Sequence, residues 1–169
     1  MGDKLERIFE YRVLHAKQRE LQIPLTLAER ERELKLKQEL PERVPSVDDQ
    51  DAFTVLPEPI AAQYVVAGHF GAGSLRNASA NGLAIATMEE PPALGQRLIL
   101  HVHDSARGVE YTFPCRVVSR VVKSPPSMGV RLEGVPSQAR TGHRSGSVWR
   151  SDVFPPEEHV VGGGGRQRA

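Results

Sequence analysis

Along the first forty residues the apolar positions keep the 3.6-residue period of a helix. Leu5, Ile8, Phe9, Val13 and Ala16 fall on one stripe. Asp3 followed by Glu6 has the spacing of a capping box. Leu21, Ile23 and Pro24 end the segment, because the residue before a proline is pushed out of helical geometry. Thr26 with Glu29 predicts a second helix, which Pro41 closes, with favourable pairs at Glu31–Lys35 and Glu33–Lys37. In this helix the apolar residues split between two faces. Leu27 and Leu34 share one, and Leu36 and Leu40 lie nearly opposite. Two thin stripes predict contact on both sides, so residues 1–41 read as a helical hairpin. It is either a partner-binding arm presenting Leu27, Leu34, Leu36 and Leu40 or a brace for the domain that follows.

Residues 42–60 read as a proline- and acid-rich linker containing Asp48, Asp49 and Asp51. From about residue 61 the period changes to two. Strands are expected over residues 60–67, 82–88, 97–104, 109–122 and 128–135, and the glycine-rich residues 68–74 read as a turn. Leu98, Leu100 and Val102 share one face, as do Val109, Tyr111, Phe113, Cys115 and Val117. Short strands with Gly/Pro turns and no room for helical crossovers predict an antiparallel barrel or sandwich over residues 61–135. Beyond it, residues 136–169 read as a mostly disordered tail, being rich in Gly, Ser and Pro.

Composition narrows the function classes. A net charge of +1 gives no basic field for nucleic acid or anionic lipid, and the first 47 residues balance ten Lys/Arg against nine Asp/Glu. No apolar run is long enough to span a membrane, and no signal-peptide pattern opens the chain, so a cytoplasmic protein is expected. The single cysteine, Cys115, excludes an internal disulfide and reads as a buried small hydrophobe. His101 and His103 share a strand face. A metal site would need a further ligand, so an exposed pair is the simpler reading and no metal is expected. Arg116, Arg120 and Arg131 read as the solvated outer face of two strands, with anion binding as the alternative. No nucleophile–base pattern is present, so no catalytic residue is assigned.

The most informative stretch is Asn77, Ser79 and Gly82, followed by apolar Leu83 and Ile85. Short polar side chains here either cap a β-turn or face a ligand side by side, and Gly82 permits a positive φ or a close backbone approach. The stretch resembles the [D/N]-x-S-x-x-G motif of the PilZ family, and Met128-Gly129-Val130-Arg131-Leu132 resembles the strand that closes PilZ barrels. The resemblance covers about residues 55–135. It implies a six-stranded barrel serving as a non-enzymatic regulatory module of bacterial signalling or motility.

In family members that bind cyclic di-GMP, an R-x-x-x-R motif precedes the first strand, where guanidinium forks pair with guanine and phosphate acceptors. Here Arg43 has Val47 four residues later and the aspartates follow. The resemblance therefore implies a degenerate member: an adaptor acting on protein partners, or on itself as a dimer, without a cofactor. The alternative is a receptor that recruits Arg43 and Arg76 to cyclic di-GMP.

Overall fold

The computed structural model describes residues 2–43, 60–123 and 125–141. Asp48, Asp49, Asp51 and the region after Thr141 lie outside the described residues. Two helices come first, α1 (Gly2–Arg19) and α2 (Leu27–Glu39). The first helix begins at Gly2, ahead of the cap expected at Asp3. The second capping box forms as read: Glu29 N–H donates to Thr26 Oγ1 at 3.2 Å, and Thr26 N–H donates to Glu29 Oε2 at 2.8 Å. Ion pairs Arg7–Glu39, Glu10–Arg32 and Lys17–Glu29 run in opposite directions along the two helices, so the hairpin is antiparallel. The expected Glu31–Lys35 and Glu33–Lys37 pairs give way to Lys35–Glu39 and Lys37–Glu42.

Among the described residues seven strands follow: β1 (Ile60–Val66), β2 (His69–Ala78), β3 (Gly82–Thr87), β4 (Arg97–Asp104), β5 (Val109–Val121), β6 (Ser127–Leu132) and β7 (Ser137–Arg140). All pairings are antiparallel. The order β4-β1-β2-β3-β6-β5 closes through β4–β5, giving a six-stranded barrel. Alternation decides what faces in. Leu98, Leu100 and Val102 on β4, and Tyr111, Phe113, Cys115 and Val117 on β5, are buried, while their neighbours face out. Burial pushes the Cys115 thiol far above its usual range, as befits a core residue.

Two strands depart from the sequence expectation. The turn expected over residues 68–74 is confined to Ala67 and Gly68, both with positive φ, and β2 already runs through Gly71 and Gly73. A hairpin turn of this hand favours Asn-Gly, so Ala-Gly hides it. The strand glycines serve close approach instead: a Cβ on Gly71 would overlap the Tyr64 ring, and one on Gly73 the Ala86 carbonyl. The second departure is β7, which falls in the stretch read as tail. It pairs with the part of β5 that β6 does not reach, Val109–Thr112. All four of its residues are exposed, so no apolar pattern announces it.

The helices pack on the barrel. Leu5, Ile8, Tyr11, Leu14, Leu25, Leu36 and Leu40 belong to the same buried cluster as the barrel interior. Phe9 meets Tyr111 at 5.7 Å between ring centroids, and Glu6 binds Arg107 at 2.7 Å. Leu36 and Leu40, expected at a partner surface, are thus spent inside the chain; each such side chain contributes about 1.5–3 kcal/mol. Leu27 and Leu34 stay exposed, at 75% and 58%.

Candidate functional site

The polar motif forms the turn between β2 and β3. A bulge at Arg76 shifts the register just before it, which turns Arg76 outward and Asn77 inward. Ser79 N–H donates to the Gly82 carbonyl at 2.9 Å. Gly82 N–H donates to Ser79 Oγ at 3.1 Å, and that hydroxyl donates to the Gly82 carbonyl at 3.2 Å. Asn77 Oδ1 accepts from Ala78 N–H at 2.8 Å. Asn77 and Ser79 are buried, Ser79 completely, and Asn77 Oδ1 and Ser79 Oγ serve the turn's own backbone. Gly82 has no left-handed backbone; it lies buried opposite Arg131.

The outward side of the turn is also engaged. Ala80 N–H donates to the Pro41 carbonyl at 2.9 Å, and Asn81 Nδ2 donates to the Glu42 carbonyl at 3.0 Å. The chain leaving α2 is therefore seated on the motif turn. Leu132 N–H donates to the Asn81 carbonyl at 2.9 Å, which fixes the turn to β6. Arg43 and Arg76 are both exposed, Arg43 just after the seated segment and Arg76 on the bulge.

The remaining sequence candidates are dispersed. His101 is half-exposed, with Nδ1 3.2 Å from Thr112 Oγ1 and 3.3 Å from Glu110 Oε1; His103 is exposed. Among the described residues no three His, Cys, Asp or Glu side chains gather as metal ligands. Arg116 is held by Glu133 at 2.8 Å and Arg120 by Glu90 at 2.7 Å. Arg131 instead lines a cleft beside the motif turn, together with Arg12 and His15 of α1 and Arg97 of β4.

That cleft was missed in the sequence, although one signal for it exists. Arg12 falls on the buried stripe of α1, four residues after Ile8 and four before Ala16. It is 5% exposed.

The architecture is a closed six-stranded antiparallel barrel whose polar motif forms the hydrogen-bonded turn between β2 and β3. A PilZ domain family model matches residues 53–143, more than half the chain, and the chain belongs to the PilZ domain family. The match extends past the barrel boundary expected at residue 135 and takes in β7. No curated protein matches the sequence. Membership places the chain among regulatory domains tied to cyclic di-GMP signalling in bacteria. Among the described residues no helix is long and apolar enough to cross a membrane.

Proposed function

We propose that the chain is an adaptor of a bacterial signalling or motility pathway, working in the cytoplasm through protein partners and without cyclic di-GMP at its family motif. The observation that carries this reading is the occupation of the motif turn. Asn77 and Ser79 bond their own backbone, while Ala80 and Asn81 hold the Pro41 and Glu42 carbonyls. A nucleotide would have to displace covalently attached chain, which competes at high effective concentration. The sequence also lacks the arginine pair that grips the nucleotide in binding members. Leu27 and Leu34, exposed on α2, supply the apolar face for a protein partner or a second copy.

Calorimetric titration of the full chain with cyclic di-GMP tests the reading. No saturable heat is expected up to about 100 μM, well above the micromolar scale of a useful receptor. Saturable binding lost in Arg43→Gln or Arg76→Gln would replace the adaptor by a receptor. Leu27→Glu with Leu34→Glu should leave the fold intact and abolish partner capture or self-association.

A further inference from the structure

Helix α1, the β4–β5 pair and the end of β6 enclose an open cleft of about 790 Å³. Arg12 and His15 line it from the helix, and Arg97 and Arg131 from the barrel; Glu20 and Glu133 are its acidic groups. Arg12 is 5% exposed, and its Nε has no hydrogen-bond partner among the described residues. His15 Nδ1 is likewise buried without a partner. Glu20 and Glu133 act on Arg12 only through space, and desolvation pulls its proton affinity down. A guanidinium keeps its proton even so, and burying it unpaired is unfavourable.

The charge balance says what would satisfy it. Arg12, Arg97 and Arg131 line the cleft, and Arg116 backs Glu133 at 2.8 Å. The lining thus sets three guanidinium groups against the carboxylates of Glu20 and Glu133, and Glu133 is already shared by Arg116 and, at 3.7 Å, Arg97, so the cleft keeps a net positive charge. Guanidinium forks match the oxygens of a phosphoryl group in pairs.

We propose that the cleft between α1 and the barrel binds a small dianion of the diphosphate class, with Arg12 at its floor and Arg97 and Arg131 at its rim. The cleft borders the family motif turn through Asn81 but is lined mainly by groups outside it, and it does not depend on the adaptor reading. Its walls come from both the arm and the barrel, so an occupied cleft holds the arm down by linkage.

The probe is sodium pyrophosphate, titrated into the full chain by calorimetry at low ionic strength. Saturable binding with a Kd of about 10–100 μM is expected, weakening as salt is added. Arg131→Gln is the main variant, since Arg131 is exposed and its loss leaves the core untouched. It should weaken binding at least about tenfold. Arg140→Gln, which removes an exposed cation of β7 outside the cleft, should change nothing. Arg12→Gln should bind more weakly while melting no lower than the wild type, because it removes an unpaired buried charge. Succinate, a dicarboxylate whose ends are planar, should bind at least about tenfold more weakly.

No binding at about 1 mM pyrophosphate overturns the proposal. So does an Arg131→Gln protein that binds as tightly as the wild type, and equal binding of succinate overturns the phosphate assignment. Competition by cyclic di-GMP separates the sources of the phosphates. Displacement that is lost in Arg131→Gln assigns the cleft to the nucleotide, supporting the cleft and overturning the adaptor reading's exclusion of that ligand. Pyrophosphate binding without displacement supports both.

Discussion

The turn from Asn77 to Gly82 and the cleft under α1 are neighbours that share Asn81, yet their polar groups are used in opposite ways. In the turn, the Ser79 hydroxyl both accepts from and donates to Gly82, and the outward groups hold the arm's carbonyls. In the cleft, Arg12 Nε and His15 Nδ1 are buried with no partner among the described residues. The turn carries the ligand motif of the family; the cleft only borders that motif, through Asn81. The difference teaches that a motif specifies which hydrogen bonds a stretch is able to make. Only the packing around it decides whether those bonds remain open to a ligand.

The arm forms part of both regions, so loosening it should have the largest effect. Leu36→Ala removes a fully buried side chain and should cost about 2–5 kcal/mol in urea unfolding. Leu34→Ala, on the exposed face of the same helix, should stay within about 0.5 kcal/mol. Equal effects would mean that the arm is not docked, and the contrast between turn and cleft would dissolve with it.

Ser79→Ala comes next. It strands the buried Gly82 N–H and should cost about 1–3 kcal/mol. An unchanged unfolding midpoint would mean that the hydroxyl is free for a ligand after all.

Acid gives a smaller effect, on the helical hairpin. The hydrogen bond from Arg32 holds the Glu10 carboxyl below its ordinary 4.5, and bonds from Lys17 and from the Thr26 backbone do the same for Glu29. A carboxyl lowered on folding adds stability above its unfolded pKa and loses it as pH falls through the folded value. The urea midpoint should therefore be flat from pH 8 to about 7, begin to fall below about 6.5, where the unfolded chain protonates His15 before the half-buried imidazole does, and fall further below about 4.5 as the two carboxylates are protonated. Arg32→Gln should remove part of that lower decline, and an unaltered slope would count against the Glu10–Arg32 bond.

The smallest effect tests the other end of β2. Ala67 holds a left-handed conformation, φ 47°, in the β1–β2 turn. Ala67→Asn should raise stability by a few tenths to about 1 kcal/mol, because Asn tolerates that backbone better. A loss of stability would show that this turn is not strained as its dihedral implies.

Much of this architecture is legible from periodicity. Strands β4 and β5 alternate so regularly that the buried faces can be named residue by residue, and Thr26 with Glu29 announces the start of α2. The first half of β2 is not legible, because Gly71 and Gly73 look like turn residues when the side chain that crosses them, Tyr64, lies on another strand. Strand β7 is not legible because it exists only where β5 outruns β6. The two faces of α2 are visible in the sequence, but Leu36 and Leu40 turn inward for a reason that no local pattern contains. The cleft is the hardest to read: Arg12, Arg97 and Arg131 are far apart in the chain, and only the closed barrel with its docked helix brings them together.

Closure also sets an order in time. Helices α1 and α2 are adjacent in sequence and meet across a short connection, so the hairpin can form on the microsecond scale of local structure. The barrel has no such shortcut, since Gly82 must find Arg131 and Ala62 must find Val102 before the ring exists. The seat for Pro41 and Glu42 is built from the β2–β3 turn, which β6 then fixes in place. The arm is therefore expected to be made early and docked last, and during synthesis it emerges ahead of the surface it will cover. In that interval the face carrying Leu36 and Leu40 is open to other molecules, and docking on the finished barrel withdraws it.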